Sequence, residues 1–158
     1  MSADLRLVPP PVPDREPSTP SPIRVALVDD HVLMRRSLRL LLEGEEGIEV
    51  VSEADSLELG VRQAEGGKPN VLVLDYRIPD GLGAEAIGKL RRRAPGTGVV
   101  VITMHDNPAF AAHVIAAGAL GFVRKELSDS ELPQAVRAAA RGEVYVSPQV
   151  AERPDGSA

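Results

Sequence analysis

The sequence contains no cysteine among its 158 residues. A disulfide scaffold, a zinc site with thiolate ligands and a cysteine nucleophile are therefore excluded. The three histidines, His31, His105 and His113, are scattered along the chain, which argues against a metal site made of histidines alone. Tryptophan is also absent, and aromatic residues make up only 3% of the chain. The core must therefore be built from aliphatic side chains.

Long apolar runs and an excess of positive charge are missing as well. No apolar run approaches the roughly 18 residues of a membrane span, and the N-terminus has no charged-then-apolar signal sequence. The formal net charge of −5 argues against nucleic-acid binding through bulk electrostatics. These observations predict a cytoplasmic protein without a membrane partner.

The chain divides into three parts of different composition. Residues 1–22 contain seven of the fourteen prolines and too little apolar periodicity for a core, which predicts a disordered arm. Residues 23–142 form the predicted domain. The polar residues 143–158 are interpreted as the start of a linker.

Within the predicted domain, five short apolar runs alternate with segments of helical spacing. The runs are 24–28, 48–53, 71–74, 99–102 and 120–123. Three of them are almost continuously apolar, as in strands that are buried on both faces of a parallel sheet. Five βα units with short connections predict an α/β fold, with a doubly wound five-stranded parallel sheet and helices on both faces.

Polar residues follow four of these strands, and the carboxyl ends of parallel strands share one edge of the sheet. Asp29 and Asp30 follow the first strand, Asp75 the third, Thr103 the fourth and Lys125 the fifth. Each has an ordinary explanation when taken singly, such as an aspartate that caps the next helix. Their coincidence at the edge where open sheets bind ligands favours a functional site.

The chemistry of this set points to a phosphoryl group. Three converging carboxylates raise one another's pKa unless a cation lies among them, and Mg²⁺ suits carboxylates with further positions for water or phosphate oxygens. A hydroxyl and an ammonium group beside them complete a cradle for phosphoryl transfer. The sequence has no GxxxxGK[ST] motif, so a P-loop nucleotide site is excluded.

Four segments resemble the receiver domain of two-component response regulators. They are Val-Asp-Asp-His-Val-Leu-Met-Arg-Arg at 28–36, Leu-Asp-Tyr-Arg-Ile-Pro-Asp-Gly-Leu-Gly at 74–83, Val-Ile-Thr-Met at 101–104 and Gly-Ala-Leu-Gly-Phe-Val-Arg-Lys at 118–125. The resemblance covers residues 23–142. The run Arg-Gly-Glu-Val-Tyr-Val-Ser-Pro at 141–148 is similar to the NarL/FixJ subfamily.

The resemblance implies a flavodoxin-like strand order of 2-1-3-4-5 and a phosphorylation site. Asp75 would be the phosphoacceptor that attacks a phosphohistidine on a partner sensor histidine kinase. Asp30, helped by Asp29, would hold Mg²⁺ together with Asp75 and the backbone carbonyl of Arg77. The protein would be no enzyme beyond catalysing its own phosphorylation and dephosphorylation.

The resemblance also implies a conformational switch. Lys125 would pair with the phosphoryl oxygens, and Thr103 would supply the switch hydroxyl. Phe122 would be the aromatic residue that turns inward when Thr103 moves toward the phosphoryl group. A homodimer on phosphorylation is a further expectation.

Some positions depart from the family pattern. Glu126 follows the lysine where many receivers have proline, which makes a cis peptide bond there less secure. Met104 stands where a small residue is common and would crowd the phosphoryl entrance. By the resemblance, Arg77 and His105 occupy the two positions that would flank the route of the attacking water. Arg77, Met104 and His105 are therefore predicted to tune the lifetime of the phosphorylated state.

The subfamily carries a helix-turn-helix domain after a linker, so DNA binding and transcription regulation are expected only through a domain absent from this chain. One alternative is an atypical receiver that binds proteins without phosphorylation. Another is a phosphatase of the haloacid dehalogenase type, although its nucleophile belongs to an Asp-x-Asp pattern after the first strand, whereas Asp29 and Asp30 are adjacent.

Overall fold

The computed structural model describes residues 21–78, 80–104 and 107–151. Residues 1–20 of the predicted arm, residues 152–158 of the predicted linker and His105 lie outside the described residues.

One parallel sheet forms the centre of the domain. Its strands are β1 (Ile23–Val28), β2 (Ile48–Ala54), β3 (Val71–Asp75), β4 (Gly98–Thr103), β5 (Gly121–Arg124) and β6 (Tyr145–Val146). The order across the sheet is β2-β1-β3-β4-β5-β6, and each neighbouring pair is parallel. The predicted α/β class and the order of the first five strands are confirmed.

The sixth strand corrects the sequence prediction of five strands and of a linker from residue 143. The backbone N–H of Tyr145 donates to the carbonyl of Leu120 at 2.8 Å, and that of Ser147 donates to the carbonyl of Phe122 at 3.0 Å. Val150 in the following helical turn is buried. Residues 145–151 therefore belong to the folded domain. Two strand residues are too few to show the apolar periodicity that reveals the other strands.

Helices cover both faces of the sheet. They are α1 (Val32–Glu43), α2 (Leu57–Gly67), α3 (Gly83–Arg93), α4 (Pro108–Ala116), α5 (Ser128–Ala140) and α6 (Pro148–Ala151). A small hairpin precedes α3, and its two strands, Arg77–Ile78 and Gly81–Leu82, have two residues each. A 3₁₀ helix, Lys125–Leu127, precedes α5.

Two apolar layers lie on opposite sides of the sheet. Leu72 and Leu74 of β3 belong to the layer that also holds buried residues of α2, α3 and α4. Val71 and Val73 belong to the other layer, with buried residues of α1 and α5. This alternation follows from the period of two in a strand that is buried on both faces, and it confirms the doubly wound arrangement.

Helix α2 approaches the sheet closely at a glycine. A Cβ atom on Gly60 would lie 2.6 Å from Cγ2 of Val28, which is itself buried at the end of β1. A larger residue would therefore push α2 away from the strand that carries the acidic residues of the sheet edge.

We expect the substitution Gly60→Ala to lower the free energy of unfolding by about 1–3 kcal/mol, because the added methyl group overpacks this contact. Gly66 in the same helix is the matched control, since a Cβ there meets nothing within 4 Å. Gly66→Ala should be neutral or stabilise by about 0.5–1 kcal/mol. Urea unfolding of both variants provides the measurement, and equal effects would show that α2 does not pack tightly at Gly60.

Candidate functional site

Three carboxylates meet at the carboxyl edge of the sheet. Asp29 and Asp30 follow β1, Asp75 ends β3, and these two strands are neighbours with Val28 paired to Leu74. One oxygen from each carboxylate and Nδ1 of His31 lie within 4.8 Å of one another. Asp29 and Asp75 are only 1% and 3% exposed. The structure thus brings together the acidic residues that the sequence singled out.

Lys125 reaches this acidic cluster from the far side of β4. Its Nζ atom lies 3.1 Å from Oδ2 of Asp75 and 3.7 Å from Oδ2 of Asp29. The lysine side chain is 7% exposed, so the ion pair is largely shielded from water. The 3₁₀ helix begins at this lysine, and the described residues contain no cis peptide bond.

Thr103 lies on β4, the neighbour of the strand that ends at Asp75, and Phe122 lies on β5, one strand further across the sheet. Thr103 ends β4 and is 2% exposed, and its neighbour Ile102 pairs with Asp75. Phe122 is fully buried in β5, paired with Val101 and with Val146 of β6. Its ring already lies inside the domain, so no inward rotation is required from this conformation. The switch roles of both residues stay predictions.

Two of the three predicted lifetime residues are described. Arg77 is exposed, and its backbone N–H donates to Oδ1 of Asp75 at 3.2 Å. Met104 follows Thr103 and is 69% exposed, next to the carboxyl edge of the sheet. Their effect on the phosphorylated state stays a prediction, as does the role of the Arg77 carbonyl as a metal ligand.

The electrostatics of Asp75 reflect its crowded position. Burial raises the pKa of this carboxyl group above its ordinary range, and the neighbouring charge of Asp29 raises it further. Lys125 and the N–H of Arg77 oppose this shift in pKa without cancelling it. Ionisation of Asp75 in the folded protein therefore costs free energy, and an additional cation beside it would reduce that cost.

The donor set fits a hard divalent cation. Oδ2 of Asp29 and Oδ1 of Asp30 are buried, yet they accept no hydrogen bond from the described residues. Carboxylate oxygens left without hydrogen bonds beside a further carboxylate are ligands of the type that Mg²⁺ prefers. Asp29, Asp30 and Asp75 would hold the ion and would leave positions for water or phosphoryl oxygens.

Sequence reasoning missed three residues that shape this edge. His31 directs its ring nitrogen toward the carboxylates. Arg35 on α1 donates through Nη1 to the carbonyl of Asp29 at 2.7 Å and through Nε to Glu53 at 3.0 Å, which ties α1 to the strands. Asp80 accepts hydrogen bonds from the first backbone N–H groups of α2. Only His31 carried a sequence signal, its position next to the paired aspartates.

The chain matches the family model described as the response regulator receiver domain over residues 25–137. That range covers most of the chain and includes the acidic edge of the sheet described above. The chain belongs to the response regulator receiver domain family.

The curated relatives that the chain matches are longer than the chain itself. The chain is 37% identical over 131 residues to the response regulator GacA of Pseudomonas viridiflava, which covers 83% of this chain and 61% of that protein. It is 34% identical over 128 residues to the transcriptional regulatory protein DegU of Brevibacillus brevis, 54% of whose length is covered. The chain thus spans about three fifths of the length of the GacA proteins that it matches.

Solved structures show the same fold. A two-component response regulator of the LuxR family from Aurantimonas sp. SI85-9A1 is 35% identical with a TM-score of 0.79, covering 84% of this chain and 94% of that one. The signal receiver domain of a NarL response regulator from Mycobacterium tuberculosis is 33% identical with a TM-score of 0.73, covering 78% and 100%. In the part of the chain that the structure describes, no helix is long and apolar enough to span a membrane.

Proposed function

We propose that the protein accepts a phosphoryl group on Asp75 from a phosphohistidine of a sensor kinase and relays this event to a DNA-binding output. The contact between Lys125 and Asp75, 3.1 Å across a buried acidic cluster, is the observation that carries the proposal. This contact holds the ammonium group of Lys125 against Asp75, the carboxylate that ends a central strand and lies beside Asp29 and Asp30. The family membership supports this function over that of a dehalogenase-type phosphatase.

The transfer requires little chemistry beyond positioning and charge compensation. A carboxylate oxygen of Asp75 forms the new bond to phosphorus while the bond from phosphorus to the donor nitrogen breaks, and the electron pair leaves with the histidine ring. Lys125 forms an ion pair with the acceptor carboxylate and would then form one with the negatively charged phosphoryl oxygens. Mg²⁺ bound by Asp29, Asp30 and Asp75 would neutralise negative charge on the transferring group.

The partner would approach the open side of this edge. Leu33 and Leu40 on α1 are 79% and 74% exposed, and α1 begins next to the acidic cluster. They offer apolar surface to a kinase domain in the cytoplasm. Catalysis would be confined to phosphorylation and dephosphorylation of this chain itself, so turnover of a generic phosphomonoester would contradict this part of the proposal.

The experiment that tests the function is incubation with Mg²⁺ and a small phosphodonor such as acetyl phosphate. A receiver that works through Asp75 becomes phosphorylated without any kinase, because the positioned carboxylate supplies the nucleophile. An atypical receiver that binds partners without phosphorylation stays unlabelled under the same conditions.

Thr103→Ala should separate phosphorylation from switching. A charge-assisted hydrogen bond contributes about 1.5–3 kcal/mol, whereas reversal of a two-state population needs about 5.5 kcal/mol. We therefore expect the variant to accept phosphate at Asp75 but to show only part of the wild-type conformational change. The readout is the change in backbone chemical shifts of α4, β5 and β6 on addition of beryllofluoride.

Thr97 is the matched control, because it is a buried threonine directly before β4, at the end of that strand opposite to Thr103. Its hydroxyl donates to the carbonyl of Pro69 at 2.8 Å, away from the acidic cluster. Thr97→Ala should lower stability and leave the beryllofluoride response complete. A full response in Thr103→Ala would show that the switch does not run through this hydroxyl.

A further inference from the structure

The imidazole of His31 faces the acidic cluster. His31 stands at the N-cap position of α1 with an extended backbone, and its backbone N–H donates to Oδ1 of Asp29 at 2.9 Å. Its side chain makes no capping hydrogen bond to the helix. The ring is instead turned toward the carboxylates, with 68% of the side chain exposed to solvent.

The position of Nδ1 matches a place in a metal coordination shell. This atom lies 3.2 Å from Oδ1 of Asp30, 3.4 Å from Oδ1 of Asp29 and 4.0 Å from Oδ2 of Asp75. Ligands about 2.1 Å from an octahedral ion lie about 3.0 Å apart when adjacent and about 4.2 Å apart when opposite. The three distances from Nδ1 fall within that interval, as expected if all four atoms surround one ion. A hydrogen bond from the ring would explain only one of the distances, because a single N–H points at one carboxylate.

A second observation points to a bound ion in addition to the acidic cluster itself. Oδ1 of Asp30, which lies 3.2 Å from the ring nitrogen, is buried and accepts no hydrogen bond from the described residues. Oδ2 of Asp29 accepts none either and has only the Lys125 ammonium 3.7 Å away among its ion-pair partners in the described residues. A buried carboxylate oxygen with no hydrogen bond is costly unless a cation balances it. The imidazole therefore approaches a carboxylate oxygen of Asp30 that a bound cation would balance.

We propose that His31 is a nitrogen ligand of the metal ion in this pocket and shifts its preference from Mg²⁺ toward a divalent transition metal such as Co²⁺ or Zn²⁺. Mg²⁺ is bound through oxygen, whereas imidazole suits the later first-row metals. The inference rests on the proposed function of the same pocket and assigns it a different metal selectivity.

Metal binding by the full chain tests this assignment without any measurement of phosphorylation. Affinities for Co²⁺ and Mg²⁺ are measured by calorimetric titration at one constant pH, because metal affinity depends on pH. His31→Ala should lower the affinity for Co²⁺ by at least about tenfold, the scale seen when the surroundings of a metal site are changed. The affinity for Mg²⁺ should change little, so the ratio of the two affinities falls.

A spectroscopic signature identifies the ligand directly. Co²⁺ shifts the proton resonances of a coordinated imidazole far outside the usual range, and these resonances should be present in the wild type and absent from His31→Ala. His113→Ala is the control, because His113 is exposed on α4 and should leave both the affinities and the spectrum unchanged.

Two results would overturn the assignment. One is an unchanged ratio of the Co²⁺ and Mg²⁺ affinities in His31→Ala, and the other is persistence of the shifted imidazole resonances in that variant. Either result leaves phosphorylation of Asp75 untouched, since the proposed function requires only the carboxylates, Lys125 and Mg²⁺. Failure of the wild type to become phosphorylated would instead contradict the proposed function.

Discussion

Asp75→Asn is expected to abolish labelling by acetyl phosphate while the fold remains intact. The amide keeps the shape of the side chain but removes the anionic oxygen that attacks phosphorus. Intact mass after incubation with Mg²⁺ and the phosphodonor measures the effect. Asp55→Asn is the matched control, because Asp55 is an exposed aspartate that follows β2 at the same edge and should leave labelling unchanged.

The same substitution should also stabilise the protein at neutral pH. Burial raises the pKa of Asp75 in the folded state, so the folded protein holds this proton more tightly than the unfolded chain. The contribution of Asp75 to stability is therefore present below its ordinary pKa and is lost as the pH rises through the raised value. Asparagine carries no such cost at pH 7, and its advantage over the wild type should shrink on acidification.

Urea unfolding of the wild type and Asp75→Asn across this pH range provides the measurement. A variant that is less stable than the wild type at pH 7 would show that the pair with Lys125 outweighs burial of the charge. Persistent stoichiometric labelling of Asp75→Asn would place the acceptor on another residue.

The second large effect concerns the metal. Asp30→Ala removes one of the three carboxylates and should weaken Mg²⁺ binding by about tenfold or more. Asp30 lies at the rim of the site with its side chain 32% exposed, so its loss should disturb packing little. A Mg²⁺ titration followed by chemical shifts at the sheet edge measures the affinity.

Asp80→Ala is the opposite case and serves as the control. Its carboxylate accepts the backbone N–H groups of Leu57 at 2.7 Å and Glu58 at 2.9 Å, which caps α2 from another part of the chain. Although burial alone would raise the pKa of Asp80, these hydrogen bonds hold it below the usual range. The stabilisation is therefore present at neutral pH and is lost as the pH falls through the lowered pKa.

We expect Asp80→Ala to lower the free energy of unfolding by about 0.5–2 kcal/mol, the range for a lost helix cap, with no change in Mg²⁺ affinity. The two variants thus separate stability from metal binding. Equal Mg²⁺ affinities in Asp30→Ala and Asp80→Ala would mean that the metal does not bind among the carboxylates.

The sequence predicts those features that depend on chain position rather than on side-chain direction. Strand runs such as 71–74 locate β3, and the parallel arrangement then places Asp75, Thr103 and Lys125 at one edge without any knowledge of their contacts. The confirmed strand order came from the family resemblance, because alternation of strands and helices alone allows several orders.

Other features arise only from the folded chain. The short strand β6 exists because Tyr145 and Ser147 pair with β5, and no local pattern marks it. Asp80 caps α2 by accepting a hydrogen bond from the backbone N–H of Leu57, which lies 23 positions earlier in the chain. The direction of the His31 ring depends on the turn between β1 and α1, which residue spacing does not specify.

Phosphorylation of the wild-type chain by acetyl phosphate tests the central claim most directly. Intact mass is followed over time with Mg²⁺ and with a chelator, and the labelled peptide is then mapped. The account predicts one phosphoryl group per chain, on the peptide that contains Asp75, formed only when Mg²⁺ is present. A folded wild-type protein that stays unlabelled, or a phosphoryl group on a peptide without Asp75, would contradict it.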